Sequence, residues 1–506
     1  MVQWIQKPDG KGFIGLDEAG HIIAERDTIP ATYFQTEDMK SDHKCRTLGQ
    51  FGPHINEIDG IRRQVSVGRL LEVLAGLESE THCVHIEFGD DKKVLFFNNE
   101  PLGDCFTWTA IFQIIYGGPL PQTNVLATEQ RLRGVANGLP WDDSFPKVLD
   151  TRPMAERFPP QRIRLHPEDR LFIYQEMEKV FDSGMYAYGK WVHTFEQTWA
   201  GIIGTRHAVA TSSGTAALEA VIRGLRLRGK RVALPTVPYA ATAQAILNAG
   251  GFVHLTDCDP KTGQLDPAKL PKTEDAVDAV CIVHLGGNID PRLGEVIDYC
   301  KTRNVPLIED AAHAHGATSE FGKAGAIGHA AIFSHYSTKI VGSGGEMGSV
   351  TCNDPELEKF VRRWRHHGRD NDPEDPAKYA HAIIGTNACP SEFQALYAFT
   401  QANRLRESLQ ARRKAAEIYA EKFHIIGSLT DSAFYKILTL DAIEAPFRLP
   451  GKTYDTPLHR EPMFGFTGMR FPGSEAWAAG HSTLPVYNDL TEEEARAICQ
   501  VINLKT

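Results

Sequence analysis

The spacing of hydrophobic positions in residues 1–125 indicates a small module of mixed α and β structure. Two pairs of apolar-rich segments flank short turns, which predicts β-hairpins: 13–16 with 21–24, and 82–88, which alternates polar and apolar positions, with 94–97. Apolar residues recur at helical spacing across 67–77, which predicts an amphipathic helix, and the apolar segment 108–116 predicts a buried helix. We therefore expect a separate α+β module at 1–125.

Proline is concentrated in the stretch that follows. Six prolines fall between residues 140 and 167. Each proline fixes one backbone angle and removes one N–H donor, so continuous helix or sheet is disfavoured here. We expect residues 126–167 to be a semi-rigid linker.

From residue 168 the pattern changes to short apolar strands that alternate with helical stretches. The strand candidates are 232–234, 252–255, 279–284, 305–308, 330–333 and 349–351, and the helix candidates between them include 239–247 and 294–300. This βα alternation predicts a mostly parallel, buried sheet with helices on both faces. We expect a large domain at 168–404. A smaller C-terminal domain at 405–506 would end in a helix that starts with a capping box at Thr491.

Length and composition predict a multidomain protein and argue against nucleic-acid-binding, membrane-spanning and disulfide-rich classes. A chain of 506 residues predicts two or three domains, and a net charge of -10 gives no general basis for binding nucleic acid or acidic membranes. Neither a signal-peptide core nor an apolar stretch of membrane-spanning length is found. The nine cysteines are scattered without a Cys-x-x-Cys pair, which argues against a metal site or disulfides and for a reducing cytoplasm.

Three local features suggest cofactor chemistry. Lys339 ends the segment 333–339 (FSHYSTK) and precedes the glycine-rich run 342–348, Asp310 follows an apolar strand candidate, and 211–218 (TSSGTAAL) is a small-residue turn that opens a helix. An amine, a carboxylate at a strand end and a turn suited to phosphate are what pyridoxal phosphate (PLP) requires of a protein. Taken singly, each has a structural alternative: a surface lysine, or helix N-caps at Asp310 and at the turn.

Together and in this order, these segments resemble the DegT/DnrJ/StrS family of sugar aminotransferases. The similarity extends over about 168–503 and includes three further segments: 309–314 (EDAAHA), 235–242 (PTVPYAAT) and 385–392 (GTNACPSE). This chain departs from the family pattern at two positions: His335 replaces a phenylalanine, and Met347 replaces a glycine. At position 313 the family carries glutamine or histidine, and this chain has the less common histidine. No family is identified for the first 150 residues.

The resemblance implies an α/β fold of the PLP-dependent aspartate-aminotransferase type (fold type I). It also implies a mainly parallel central sheet and a small C-terminal domain that closes over the cofactor. Lys339 would be the Schiff-base lysine and proton carrier, and Asp310 would pair with the pyridine nitrogen. The remaining cofactor contacts implied by the family motifs are Gly214, Thr215, Ala216 and Ser334 at the phosphate, Tyr239 stacked on the ring and His313 at the phenolic oxygen.

In the family, an asparagine from the neighbouring subunit reaches the phosphate, and Asn387 occupies that position here. The resemblance therefore implies a homodimer with shared active sites, although Asn387 could also be an ordinary loop residue. Substrate contacts are predicted only from their closeness in sequence to the motifs: Tyr188, Tyr336, His459 and Arg460.

The implied activity is transfer of an amino group from glutamate or glutamine to a keto-sugar, a keto-cyclitol or a related secondary-metabolite ketone. One alternative is a PLP-dependent dehydratase or cyclase, although retention of Lys339 favours transamination because the family's sugar dehydratases carry histidine there. A second alternative is a non-catalytic regulatory protein, against which the intact Lys339 and Asp310 argue. The N-terminal module could bind a carrier protein, recognise substrate, mediate assembly or simply support the fold.

Overall fold

The computed structural model describes residues 158–505 without 274–276, 372–378, 452–454 and 463–467, and seven strands before residue 105. The chain divides into two compact units, Met1–Thr151 with Leu165–Leu171 and Arg152–Arg164 with Phe172–Thr506. The helices predicted at 67–77 and 108–116 lie outside the described residues, as does the linker up to 157. The described end of the linker, 158–166, contains neither helix nor strand.

The described strands of the first unit form two antiparallel sheets. The first sheet contains β1 (Gln3–Gln6), β2 (Phe13–Leu16) and β3 (Ile22–Arg26). The second contains β4 (Ile61–Ser66), β5 (Cys83–Phe88), β6 (Lys93–Phe97) and β7 (Glu100–Asp104). Strands β2 and β3 pair with each other, as do β5 and β6, so both predicted hairpins are confirmed.

The helices predicted at 239–247 and 294–300 are confirmed to within a few residues at each end. The described residues after 158 contain ten α-helices. They are α1 (Pro167–Ser183), α2 (Lys190–Ile203), α3 (Gly214–Gly224), α4 (Ala240–Asn248), α5 (Leu293–Arg303), α6 (Pro355–Trp364), α7 (Glu392–Asn403), α8 (Leu405–Ala420), α9 (Pro472–Gly480) and α10 (Glu492–Val501). Among the described residues, no helix combines the length and the apolar character needed to cross a lipid bilayer.

A seven-stranded sheet is the centre of the second unit. Its strands are β8 (His207–Thr211), β9 (Arg231–Pro235), β10 (Phe252–Thr256), β11 (Ala279–Val283), β12 (Leu307–Asp310), β15 (Ala330–Ser334) and β16 (Gly348–Cys352), in the order β10-β9-β11-β12-β15-β16-β8. Only β16 runs antiparallel to its neighbours in this sheet. All six predicted strands are confirmed, whereas β8 was missed.

Shorter strands complete the second unit. They are β13 (Thr318–Ser319), β14 (Gly322–Lys323), β17 (Arg369–Asn371), β18 (Tyr379–His381), β19 (Ile425–Ile426), β20 (Ile437–Thr439), β21 (Ile443–Glu444), β22 (Ser482–Leu484) and β23 (Asn503–Leu504). All of their pairings are antiparallel. The second unit therefore has one large, mostly parallel sheet and several small antiparallel sheets.

Burial explains why the sheet strands are nearly continuous apolar runs. The buried cluster includes residues of all seven strands, among them Val209, Leu234, Leu255, Cys281, Ile308, Ile332 and Val350. Helix α3 adds Leu218 and Val221 to this core. Strands β8, β9, β11, β12 and β15 run in the same direction. Their carboxyl ends therefore lie at the same edge of the sheet, which is where open α/β sheets bind ligands.

A second core lies in the C-terminal part. Tyr419 of α8, Ile437 of β20, Leu484 of β22 and Ile498 of α10 are buried together. The capping box at the start of α10 is present as predicted, with the Thr491 side chain accepting the Glu494 amide N–H. The domain boundary at 404/405 stays a prediction, since both cores belong to one compact unit.

Candidate active site

The turn between β8 and α3 is held tightly against two other strand ends. Ser213 caps α3, and its hydroxyl oxygen accepts the Ala216 N–H at 3.1 Å. A Cβ on Gly214 would lie 3.1 Å from the Ser334 Cβ, and a Cβ on Gly348 would lie 2.4 Å from the carbonyl of Ser213. The two glycines therefore allow this helix start to approach β15 and β16 closely. Its backbone N–H groups and the helix dipole favour an anion.

Asp310 ends β12 and its carboxylate is held by two donors. The Thr242 hydroxyl donates to Oδ2 at 2.8 Å, and the Ala312 N–H donates to Oδ1 at 3.1 Å. The side chain is only 7% exposed. Burial raises the pKa of Asp310, while these two hydrogen bonds and the positive charge of Lys339 act in the opposite direction. Turns rather than a helix follow Asp310, so the alternative that it is a helix N-cap is wrong.

The Glu309 side chain lies on the face of β12 opposite to Asp310, and its hydrogen bonds hold the end of this strand in place. His284 Nε2 lies 2.9 Å from its Oε2, and the backbone N–H groups of Gly325, Ile327 and Gly328 donate to the same carboxylate at 2.7–2.9 Å. Successive side chains of a strand face opposite ways, so this buried network sets the direction of Asp310.

Lys339 follows β15 through a short turn in which its N–H donates to the Tyr336 carbonyl at 2.8 Å. Its ammonium group lies 4.5 Å from the centroid of the Tyr435 ring. The Tyr435 hydroxyl is 3.1 Å from the Thr338 hydroxyl. Burial raises the pKa of Tyr435, but the positive charges of Lys339, Lys436 and Arg412 and the Thr338 hydrogen bond together lower this pKa below its ordinary value.

His313 is buried beside the same tyrosine. Its Nδ1 accepts the Gly286 N–H at 3.3 Å, and its ring centroid is 4.3 Å from that of Tyr435. Burial holds the pKa of His313 well below its ordinary value, and the charges of Lys339 and Lys436 lower it further. The imidazole is therefore neutral near pH 7. Because Nδ1 accepts a hydrogen bond, the ring proton is on Nε2.

His335 explains one departure from the family pattern. It is buried, with Nδ1 at 2.9 Å from the Val341 carbonyl and Nε2 at 2.9 Å from the Ser349 hydroxyl. Phe195 and Trp199 contact its ring edge-on. Burial lowers the pKa of His335 to about 4, so it is a neutral packing residue that joins β15 to the glycine-rich run.

One cavity of about 600 Å³ brings most of the predicted residues together. Those that line it are Gly214, Thr215, Tyr239, Asp310, His313, Ser334, Tyr336 and Lys339. Tyr239 and Tyr336 are at its open side, 65% and 43% exposed. Ala216 does not line this cavity; as described above, its N–H is used within the turn.

Four predicted residues are located away from this cavity. Tyr188 stacks on His366 at 4.0 Å, and Asn387 forms a β-bridge with the same His366. His459 and Arg460 both pair with Glu475, at 3.2 and 3.3 Å. Closeness in sequence to the motifs was therefore a poor guide for Tyr188, His459 and Arg460. Asn387 is predicted to reach the phosphate in the active site of a neighbouring subunit, so its distance from the cavity of its own subunit does not test that prediction.

Other residues at the cavity were not identified from the sequence. Thr242, which holds Asp310, is the last residue of the segment 235–242, and its position in that motif was a usable signal. Gln161, Tyr435 and Lys436 also line the cavity, but they belong to no motif. They reach it only because the C-terminal part and the residues before α1 fold back onto the sheet.

The residues present fit PLP. The close approach of Gly214 and Gly348 creates an anion-binding turn, and the oriented Asp310 carboxylate suits a protonated pyridine nitrogen. Lys339 supplies an amine, and His313 supplies a neutral N–H donor in the same cavity. The second unit thus contains each of the protein groups expected for this cofactor.

Several known proteins are similar to this chain. GDP-perosamine synthase of Caulobacter vibrioides is 32% identical over 52% of this chain and 70% of its own length. UDP-N-acetyl-3-dehydro-α-D-glucosamine 3-aminotransferase of Acidithiobacillus ferrooxidans is 28% identical over 64% of this chain and 91% of its length. The structure of S. venezuelae DesV in complex with a ketimine intermediate matches with a TM-score of 0.57 at 26% identity, covering 66% of this chain and 94% of that one.

The fold prediction is confirmed by such structural relatives, which have the fold type I architecture of PLP-dependent enzymes. The model of the DegT/DnrJ/EryC1/StrS aminotransferase family matches residues 167–437, which is more than half of the chain. The chain therefore belongs to the DegT/DnrJ/EryC1/StrS aminotransferase family and is a PLP-dependent aminotransferase.

Proposed function

We propose that this chain transfers an amino group from glutamate or glutamine to the keto group of a sugar. The main support is that Lys339, Asp310 and His313 line one cavity of about 600 Å³ at the carboxyl edge of the sheet. The names of the two curated relatives, a perosamine synthase and an aminotransferase of a 3-dehydro sugar, support a sugar as the acceptor.

The roles of the residues follow from their positions. PLP, when bound, withdraws the electrons released as a C–H bond of the substrate breaks. In the half-reaction with the amino donor, the Lys339 amine would accept the proton from that C–H bond. In the half-reaction with the ketone, Lys339 would deliver a proton to the former carbonyl carbon. Asp310 keeps a negative charge beside the pyridine nitrogen, where Thr242 and Ala312 orient it. The Tyr239 ring covers the open side and excludes water.

The phosphate would be held at the start of α3. Gly214 and Thr215 offer backbone N–H groups there, and the Ser334 hydroxyl lines the same cavity. His313 would donate its Nε2 proton to the phenolic oxygen of the cofactor. This role suits its neutral state, because a neutral donor leaves the negative charge on that oxygen in place.

The reaction can be tested directly. After incubation with PLP, borohydride reduction should attach the cofactor covalently to Lys339, as located by peptide mass spectrometry. Incubation of the loaded enzyme with isotopically labelled glutamate or glutamine and nucleotide-linked keto-sugars should place labelled nitrogen in the sugar. A protein that takes up no PLP would refute the proposal. Loss of water from the sugar without gain of nitrogen would indicate a dehydratase instead.

A homodimer with shared sites is part of the proposal. Asn387 lies outside its own cavity, beside His366, so it is positioned at a different surface of the same subunit. We expect Asn387 of one subunit to complete the phosphate site of the other. Mixing Lys339→Ala and Asn387→Ala proteins should then restore part of the activity, because a heterodimer contains one intact site. Verified heterodimers without any activity would contradict the shared site.

We also propose that the domain preceding the linker is separable from the chemistry. The site residues all belong to the second unit, and the first unit has antiparallel sheets of its own. A chain that starts near Pro153 should still bind PLP with an affinity close to that of the full chain, measured by equilibrium dialysis. Loss of PLP binding in a soluble, dimeric truncated chain would contradict this separation.

A further inference from the structure

A second lysine lines the cavity, and the cofactor does not explain it. Lys436 is contributed by the segment just before β20. Its ammonium group lies 5.6 Å from the centroid of the Tyr435 ring, and that of Lys339 lies 4.5 Å from the same centroid. The two amines therefore lie beside one ring, whereas Asp310 and the α3 turn contact other parts of the cavity.

The ammonium group of Lys436 has no acidic partner among the described residues. No carboxylate there lies within 4.0 Å of its Nζ, although Glu346 lines the same cavity. Lys436 is also half-buried. Burial lowers its pKa, with Arg412 and Lys339 adding to this and Tyr435 opposing it. A partly buried cation without a partner is costly, so an anion supplied by a ligand would be stabilising here.

The backbone that leads into Lys436 is fixed by hydrogen bonds. The Lys436 N–H donates to the Gly286 carbonyl at 3.1 Å. The buried guanidinium of Arg412 donates to the carbonyls of Phe434 at 2.7 Å and Tyr435 at 3.3 Å. Arg412 is itself held by Asn488 at 2.8 Å. The position of Lys436 is therefore set before any ligand arrives, which reduces the entropy lost on binding.

We propose that Lys436 binds the α-carboxylate of the amino donor. This inference rests on the proposed function, since it assumes an α-amino acid as donor, and both glutamate and glutamine carry this group. The α-carboxylate is attached to the same carbon as the amine, so a donor that places its amine at Lys339 brings its carboxylate close by. A nucleotide-linked sugar carries its diphosphate several bonds from the keto carbon, which makes that anion a poorer match for a cation beside Lys339.

The test compares binding of α-methylglutamate and of its α-amide to the PLP-loaded enzyme by calorimetry. α-Methylglutamate has no α-hydrogen and therefore binds without transfer of its amine. Lys436→Met should weaken its binding about tenfold to a hundredfold, the scale of one charge-assisted hydrogen bond, and should leave binding of the α-amide nearly unchanged. Lys436→Arg should restore most of the affinity. Lys301→Met, which removes an exposed lysine of α5, should have no effect.

Three outcomes would count against this inference or its basis. Equal affinity of wild type and Lys436→Met for α-methylglutamate would overturn it. A loss confined to the second half-reaction, with a nucleotide-linked ketone, would assign Lys436 to the acceptor phosphates and would also overturn it. Failure of the wild-type enzyme to take nitrogen from any α-amino acid would instead refute the proposed function. Lys436→Gln serves as a second neutral variant if Lys436→Met does not fold.

Discussion

The two sides of the cavity differ in how deeply their residues are buried. At the Asp310 side the carboxylate is 7% exposed and accepts hydrogen bonds from Thr242 and Ala312. At the open side Tyr239 and Tyr336 are 65% and 43% exposed. Polar groups oriented during folding need no reorganisation when a ligand arrives. The difference indicates that the buried side is built for one permanent cofactor and the open side for substrates that must enter and leave.

Removal of the Lys339 amine should have the largest effect, because turnover should be lost while PLP binding is retained. Lys339→Ala should lower turnover at least about a thousandfold, because both covalent attachment and proton transfer are lost. PLP should still bind through the α3 turn and Asp310. Turnover assays combined with equilibrium dialysis of PLP measure both effects, with Lys301→Ala as control. Turnover within tenfold of wild type would show that Lys339 is not the reactive amine.

Neutralising the buried Asp310 carboxylate should cause the next largest loss of turnover. Asp310→Asn keeps an oxygen that can accept the Thr242 hydroxyl but removes the negative charge. We expect a loss of turnover of about a hundredfold, or roughly 2.7 kcal/mol in the barrier. Asp298→Asn on the exposed face of α5 is the matched control. Near-normal turnover of Asp310→Asn would assign the pyridine nitrogen to another residue.

A smaller effect is expected from crowding the anion-binding turn. In Gly348→Ala the new methyl group would lie 2.4 Å from the Ser213 carbonyl, so the turn must shift. Such overpacking costs about 1–3 kcal/mol, and we expect PLP to bind about tenfold more weakly. Gly344→Ala is the control, because its methyl group would be at an ordinary 3.5 Å from Tyr397. Equal PLP affinity of both variants would mean that the turn does not hold the phosphate.

Substitution at the open side should have the smallest effect. Tyr239→Ala should weaken PLP binding about threefold to tenfold, which matches the 0.5–1.5 kcal/mol typical of an aromatic stacking contact. Tyr239→Phe retains the ring and should bind PLP like the wild type. If Tyr239→Phe were as weak as Tyr239→Ala, the hydroxyl group rather than the ring would be the contact.

The sequence by itself identified six of the seven strands of the central sheet and much of the site. Buried parallel strands are apolar on both faces, so the strands around Leu234, Cys281 and Ile308 were recognisable as short apolar runs. The motifs at 211–218, 309–314 and 333–339 each begin in the last residues of a strand, and these three strands run in the same direction. Parallel topology then places their polar residues at one edge, so local sequence predicted a non-local cluster.

Only the tertiary structure decided which side chains complete that cluster. Tyr435 and Lys436 lie about a hundred residues beyond Lys339 in sequence, and no periodicity or motif indicates that they line its cavity. Conversely, Tyr188, His459 and Arg460 are near motifs in sequence but contact His366 or Glu475 instead. Local patterns report which residues are buried and where the chain turns. They do not specify the path of a distant segment, which depends on the packing of the whole C-terminal part against the sheet.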